Sequence, residues 1–215
     1  LVNEYVSSIN KSNIDIVEIG FRFLKNNNNG TFANTKETTI KNLNFRKNLD
    51  LALMINSSDL DFSQNYKKQL KKYFLNKKNS KISIIRFATH LKDIKKIIPH
   101  IKYLKKMGYR IVVNLMQIDK VNETSLREVL KLLANTKSVE VFYFADSFGN
   151  LNPKNIEKIC KTIKKNWKKD FGFHAHDNCG FALQNCLTAK ENGAKWIDST
   201  VQGMGRGAGN VSTED

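Results

Sequence analysis

The sequence predicts an α/β protein of the TIM (β/α)8 barrel class, with seven strands visible where a complete barrel has eight. Segments typical of strands and of helices alternate, and the strands begin roughly every 25–36 residues, which is the spacing of βα units. Most strands are apolar on both faces, as a parallel sheet covered by helices requires. A doubly wound sheet is the alternative, but no G-x-G-x-x-G motif follows the first visible strand. We therefore expect residues 1–215 to form a single, partial barrel domain.

The individual elements follow from hydrophobic periodicity and from turn residues. Strands are predicted at residues 14–20, 49–55, 82–87, 110–116, 139–144, 171–176 and 196–200. Helical patterns cover residues 1–9, 59–78, 91–107, 123–134, 153–168 and 181–191. Pro153 suits the first turn of its helix, whereas Pro99 lies inside a helical pattern and predicts a kink or a break there. The asparagine-rich stretch 26–29 is predicted to be a mobile loop.

Composition narrows the classes of protein to which this chain can belong. The net charge of +16 comes largely from lysines that occupy the solvent faces of predicted helices, so it does not indicate specific nucleic-acid binding. No apolar run approaches the roughly 20 residues of a membrane helix, and no membrane association is expected. The three cysteines form no C-x-x-C pair, which fits a reducing compartment and predicts a cytoplasmic protein.

Two histidines, His174 and His176, are separated by one residue at the end of the sixth predicted strand. Side chains two residues apart in a strand project from the same face, so both imidazoles can reach one metal ion. The alternative is that both are polar strand-end residues that hydrogen-bond to their neighbours. The spacing alone leaves both interpretations open.

Further polar residues lie near the carboxyl ends of the predicted strands, which is where a barrel carries its active site. Taken one at a time, each could equally be a hydrogen-bonding cap of its strand. Their convergence favours a site, and it predicts substrate contacts or catalytic roles for Glu18, Asn114, Asp146, Ser147, Asp198 and Thr200.

Several segments resemble the HMG-CoA lyase-like superfamily of metal-dependent TIM barrels. That family pairs His-x-His-[Asn/Asp] on one strand with an Asp on the next strand and a glycine-rich loop that ends in Ala-Gly-Asn. The matching segments here are residues 174–180, 193–198 and 203–210, together with Ala182, Asn185 and Ala189. Residues 85–90, 114–116 and 144–149 are most similar to the 4-hydroxy-2-oxovalerate aldolase branch. The resemblance extends over nearly the whole chain from residue 14, as an HMGL-like or pyruvate carboxyltransferase type of catalytic domain.

The resemblance implies a metal-dependent lyase that makes or breaks a carbon–carbon bond next to a 2-oxo acid. His174, His176 and Asn210 would hold a divalent cation, with Mn²⁺ expected first and Mg²⁺, Co²⁺ or Zn²⁺ as the others. Arg206 could pair with a substrate carboxylate and, with Asp146, is expected to be catalytic. The glycines of the loop would let backbone approach the substrate; they are Gly203, Gly205, Gly207 and Gly209.

Two departures from the family pattern limit what can be carried over. HMG-CoA lyases have a cysteine in the glycine-rich loop, whereas Met204 and Arg206 occupy that region here. The family's first strand carries an Asp–Arg motif that supplies a metal ligand and the catalytic Arg, and nothing before residue 14 resembles it. We therefore expect the first strand and the last helix to be missing, and the isolated 215 residues to be inactive.

Other functions remain alternatives at this point. A Claisen-type condensing enzyme similar to isopropylmalate synthase is one, because Asp177 and Arg206 favour it. A non-catalytic barrel that binds a ligand or a partner protein is another. The partners expected for the aldolase are a small-molecule 2-oxo acid, a second copy of the chain, or an aldehyde dehydrogenase.

Overall fold

A computed structural model of the chain describes residues 2–24 and 30–215. The seven strands are β1 Ile16–Phe21, β2 Asp50–Asn56, β3 Ile84–Thr89, β4 Arg110–Leu115, β5 Val141–Asp146, β6 Phe171–Ala175 and β7 Trp196–Ile197. The α-helices are α1 Val2–Lys11, α2 Glu37–Lys41, α3 Tyr66–Tyr73, α4 Ile94–Lys106, α5 Glu123–Thr136, α6 Pro153–Asn166 and α7 Ala182–Glu191. The asparagine-rich stretch 26–29, expected to be a mobile loop, lies outside the described residues.

The seven strands form one sheet whose order, β1 to β7, is the order of the chain. Neighbouring strands pair in parallel, for example β1 with β2 and β5 with β6, and helices connect successive strands. Parallel strands that are neighbours in both sequence and space, joined by helices, are the topology of a TIM barrel. The described part of the chain contains seven of the eight strands, so the predicted fold class, an incomplete TIM barrel, is confirmed.

The chain divides into two compact units, and the first comprises residues 1–88 and 99–111. Its strands β2 and β3 are buried almost throughout, since Leu53, Ile55, Ile84, Ile85 and Phe87 are fully buried. This burial on both faces explains why the two segments are nearly continuous apolar runs without the alternation of a half-exposed strand.

A buried ion pair anchors the segment that follows β1. Arg22 is 3% exposed, and its Nε donates to the Thr35 carbonyl at 2.7 Å while Nη1 donates to the Tyr73 carbonyl at 2.9 Å. Glu37 Oε1 lies 3.4 Å from the guanidinium and also accepts from the Ser80 hydroxyl at 2.9 Å. Burial lowers the pKa of Arg22, and the charge of Glu37 acts against that shift.

The second unit comprises residues 89–98 and 112–215 and contains both histidines of the His-x-His motif. The sheet face opposite His174 is aromatic and buried. On it, Phe144 of β5 stacks on Phe173 of β6, with 4.7 Å between ring centroids. The helices α5, α6 and α7 cover this unit, and the side chains they bury are aliphatic or small, such as Leu130, Ile163 and Ala189.

Some elements differ from the sequence prediction. Helix α4 runs through Pro99 without a break, because its apolar stripe of Ile94, Ile97, Ile101 and Leu104 is fully packed and outweighs the loss of one backbone hydrogen bond. The short helix α2 was missed, since its five residues include a single buried apolar side chain, Ile40. Strand β7 has two residues where five were predicted. None of the described helices is long and apolar enough to cross a bilayer.

Candidate active site

The strand register places His174 in a row of side chains that crosses the second unit. On β5 and β6, Ala145 pairs with His174 and Tyr143 with Gly172, while Gly172 pairs with Trp196 on β7. Residues two apart on one strand share a face, so Tyr143 and Trp196 lie one row below His174 on the same face. A Cβ on Gly172 would come within 2.4 Å of the Tyr143 ring, so this position has room only for glycine while the ring lies across it.

His174 is oriented by a carboxylate on the neighbouring strand end. Its Nδ1 lies 2.9 Å from Asp198 Oδ2, and both side chains are about four-fifths buried. A carboxylate accepts hydrogen bonds, so this contact places the proton of a neutral His174 on Nδ1 and leaves the Nε2 lone pair available. Asp198 was grouped with the strand-end residues from the sequence, but its contact with His174 depends on the pairing of β6 with β7.

His176 follows β6 and lies against the end of the glycine-rich loop. Its ring centroid is 5.2 Å from that of His174, with the two ring planes nearly perpendicular. Its backbone forms an antiparallel bridge with Asn210. Burial lowers the pKa of His176, as do the charges of His174 and Arg206, whereas hydrogen bonding to the backbone of Gly209 and Arg206 acts in the opposite direction. The net effect favours a neutral imidazole, which is the form that binds metal.

Asn210, whose backbone bridges to that of His176, has an unsatisfied side-chain oxygen. Its Nδ2 donates to the Met204 carbonyl at 2.9 Å, whereas its buried Oδ1 has no hydrogen-bond partner among the described residues. An unpaired buried carbonyl costs about 1–3 kcal/mol, so a ligand that accepts electron density from this oxygen would recover that cost. The Asn210 side chain packs so closely on Gly205 that a Cβ there would lie 2.5 Å from Nδ2.

The two ends of the glycine-rich loop, residues 203–210, are hydrogen-bonded to each other. Asn210 N–H donates to the Gly203 carbonyl at 2.9 Å, and a Cβ on Gly209 would lie 2.0 Å from that carbonyl oxygen. The Thr200 hydroxyl donates to the Met204 carbonyl at 2.7 Å. Thr200, expected to contact substrate, therefore closes the base of this loop. Arg206 is exposed, and the positive charge of its guanidinium lowers the pKa of His176.

Asp146 ends β5, and its carboxylate is directed into the protein. It is 0% exposed, and its two oxygens accept from the backbone N–H groups of Asn150 at 3.2 Å and Leu151 at 3.0 Å. Burial raises its pKa, with a contribution from the charge of Asp119, while these amides act to lower it. Asp146 therefore holds the loop after β5. The catalytic role expected from the sequence stays a prediction.

The other expected substrate contacts are distributed between the two units. Ser147 Oγ accepts from the Gln117 N–H at 2.9 Å, which joins the loops after β4 and β5. Asn114 on β4 is 3% exposed, and its Oδ1 has no hydrogen-bond partner among the described residues. In the first unit, Glu18 on β1 pairs with Arg86 on β3 at 3.2 Å. Asn178, whose side chain hydrogen-bonds to two loops of the second unit, was given no role from the sequence. A polar residue in a loop carries no periodic signal.

The side chains of His174, His176 and Asn210 carry atoms of the types that bind divalent metals. The available donors are Nε2 of His174, the imidazole of His176 and the unpaired Oδ1 of Asn210, a mixed nitrogen and oxygen set suited to several divalent cations. In the part of the chain that the structure describes, no three His, Cys, Asp or Glu side chains converge on one point. The donor set therefore fits a divalent cation but includes no carboxylate to balance its charge.

Comparison with known proteins identifies a family model that covers nearly the whole chain and relatives that match part of it. The family model described as HMGL-like matches residues 4–215. The 4-hydroxy-2-oxovalerate aldolase of Pelotomaculum thermopropionicum is 35% identical over 133 residues, which are 62% of this chain and 39% of the relative. The enzyme of the same name from Carboxydothermus hydrogenoformans is 35% identical over 131 residues, or 61% and 39% of the two chains. The match thus spans about two-fifths of the length of these relatives.

Solved structures share the fold. The N-terminal domain of a proposed aldolase from Bacteroides vulgatus superimposes with a TM-score of 0.82 at 30% identity, covering 99% of this chain and 69% of that one. Hydroxymethylglutaryl-CoA lyase from Pseudomonas aeruginosa superimposes with a TM-score of 0.77 over 100% of this chain and 76% of its own, at 12% identity. At that identity, the lyase is evidence for the fold alone.

Proposed function

Because the chain belongs to the HMGL-like family, we propose that it forms part of the active site of a divalent-metal-dependent aldolase that cleaves a 4-hydroxy-2-oxo acid. The names of its relatives support a carbon–carbon lyase of this type. The substrate class follows from the same names, and 4-hydroxy-2-oxovalerate is the first compound to test.

The observation that supports the proposal is the proximity of the His174 and His176 rings, together with the backbone bridge from His176 to Asn210. The two imidazoles lie 5.2 Å apart between centroids, and the side-chain oxygen of Asn210 is buried without a hydrogen-bond partner among the described residues. We assign the three residues as ligands of the cation. When bound, the cation would act as a Lewis acid that stabilises the enolate of the 2-oxo acid.

The protein residues have distinct tasks in this scheme. Asp198 holds the His174 ring with its Nδ1 proton, which leaves Nε2 available as the metal donor. Arg206 is exposed on the glycine-rich loop and would pair with the substrate carboxylate. In the retro-aldol step, a base takes the proton of the C4 hydroxyl, the C3–C4 bond breaks to release an aldehyde, and the resulting enolate takes up a proton at C3 to give a 2-oxo acid.

The test uses the full-length protein that contains this chain. Mn²⁺ binding is measured by calorimetry, and aldehyde release from 4-hydroxy-2-oxovalerate is measured in the same preparations. We expect His176→Ala to lose Mn²⁺ binding and turnover together. Gln184→Ala, at an exposed position on α7, is the control and should retain both.

Two results would contradict the proposal. Undiminished Mn²⁺ affinity in His176→Ala would exclude the ligand assignment. Release of free CoA thiol from acetyl-CoA and a 2-oxo acid, without any aldehyde release from the 4-hydroxy-2-oxo acid, would identify a Claisen-type condensing enzyme instead of an aldolase.

A further inference from the structure

The side chain of Asn178 connects two loops of the second unit. Its Nδ2 donates to the Phe148 carbonyl at 2.7 Å, in the loop that follows β5. Its Oδ1 accepts from the Ala208 N–H at 3.2 Å, in the glycine-rich loop that carries Arg206. One amide thus uses its donor on one loop and its acceptor on the other.

The backbone on either side of Asn178 follows the same pattern. Asp177 N–H donates to the Gly209 carbonyl at 3.0 Å, and Cys179 N–H donates to the Gly149 carbonyl at 3.0 Å. Residues 177–179 therefore lie between the two loops and hydrogen-bond to both.

Glycine is needed on each side of Asn178 for this close approach. A Cβ on Gly149 would lie 2.6 Å from the Asn178 backbone nitrogen, and a Cβ on Gly207 would lie 2.9 Å from Asn178 Oδ1. Both glycines also have positive φ angles, 58° and 63°, which strain any residue with a Cβ. The packing around Asn178 thus depends on two glycines that belong to different loops.

We propose that Asn178 is a positioning residue that fixes the glycine-rich loop against the loop after β5, and with it the place of Arg206. This assignment rests on the proposed function, because it assumes that Arg206 pairs with the substrate carboxylate. Asparagine suits the task because one planar group offers a donor and an acceptor at once, which neither an aspartate nor an alanine does.

Asn178 is exposed, so its two hydrogen bonds add little to the stability of the fold. Exposed bonds exchange readily for bonds to water, and each intramolecular bond contributes a net of only about 0.5–1.5 kcal/mol. The two hydrogen bonds of Asn178 instead keep the glycine-rich loop ordered. A substrate-binding group displaced by about 1 Å costs up to about a hundredfold in rate, so a loosened loop affects kcat/KM far more than stability.

The experiment compares Asn178→Ala and Asn178→Asp with wild type, and Asn192→Ala serves as the control. Asn192 also donates its amide to one backbone carbonyl, that of Thr188 at 2.9 Å, but at the end of α7. Amide hydrogen exchange at Ala208 and steady-state kinetics on 4-hydroxy-2-oxovalerate are measured in the full-length, Mn²⁺-loaded protein.

We expect Asn178→Ala to raise the exchange rate at Ala208 about tenfold and to raise KM more than it lowers kcat. Asn178→Asp keeps an acceptor for Ala208 N–H, so exchange there should stay slow. Its carboxylate faces the Phe148 carbonyl, so exchange in the loop after β5 should rise. The control should match wild type in amide exchange of both loops and in kcat and KM.

An unchanged amide exchange rate at Ala208 in Asn178→Ala would show that Asn178 does not fix the glycine-rich loop. Faster exchange with unchanged kcat and KM would overturn the positioning role. If wild type shows no retro-aldol turnover, the proposed function fails, and the exchange data still decide whether Asn178 orders the loop.

Discussion

His174 Nδ1 lies 2.9 Å from Asp198 Oδ2, across the pairing of β6 with β7. The contact fixes the ring orientation and the tautomer of one proposed metal ligand. It also places the negative charge of Asp198 near Cys186, where it contributes to a raised thiol pKa.

Removing the Asp198 carboxylate should weaken metal binding without unfolding the protein. We expect Asp198→Ala to lower Mn²⁺ affinity by about 10–100-fold, because His174 loses the group that holds its ring. Calorimetry gives the affinity, and ¹⁵N shifts of the imidazole in the metal-free protein report the tautomer. Glu128→Ala, at an exposed position on α5, is the control. Unchanged affinity together with an unchanged His174 tautomer would show that the contact has no orienting role.

Gly172 should not tolerate a side chain. A Cβ there would lie 2.4–2.7 Å from three atoms of the Tyr143 ring, so Gly172→Ala forces the ring or the strand to move. We expect a loss of about 1–3 kcal/mol in the free energy of unfolding, measured by denaturant titration.

The matched background for this test is Tyr143→Leu, which removes the atoms that clash. The cost of Gly172→Ala should be smaller there, giving a coupling energy in a double-mutant cycle. Equal costs in both backgrounds would mean that the ring is not the cause.

The buried pair of Arg22 and Glu37 should matter more for stability than an exposed pair of the same kind. Glu37→Ala leaves a guanidinium that is 3% exposed without its counter-charge, and we expect it to cost about 3 kcal/mol. Glu157, which pairs with Lys161 on the surface of α6, is the matched control, and Glu157→Ala should cost less than about 0.5 kcal/mol. Equal midpoints of denaturation for the two variants would contradict this expectation.

The three cysteines should differ sharply in reactivity. Burial raises the pKa of Cys160 to about 12, and burial with the charge of Asp198 raises that of Cys186 to about 12. A raised thiol pKa lowers the thiolate fraction at neutral pH, and the thiolate is the reactive form. Cys179 is exposed.

We therefore expect an alkylating reagent at pH 7.5 to modify Cys179 in the native protein and the other two cysteines only after denaturation. Peptide mapping by mass spectrometry assigns the modified positions, and Cys179→Ser is the control that should show no rapid labelling at these three positions. Rapid native labelling of Cys160 would mean that α6 is packed less tightly than described.

Much of the fold could be predicted from the pattern of residues. The strands β2 to β6 were found because each is a short apolar run bounded by polar or turn residues, and burial on both faces produces that signal directly. Helix α2 and the length of β7 were not found, since five residues with one buried side chain, or two residues of strand, carry too little periodicity.

The sequence by itself determined the class of the fold, the family resemblance and the His-x-His pair, because local composition and spacing are sufficient for each. The tertiary structure alone decided which groups meet: Asp198 with His174, the Asn210 backbone with that of His176, and Asn178 with two loops. The physical reason is that these contacts join residues 24 to 34 positions apart in the sequence. Which residues meet depends on strand register and on close backbone approach at glycines, and neither produces a periodic pattern in the sequence.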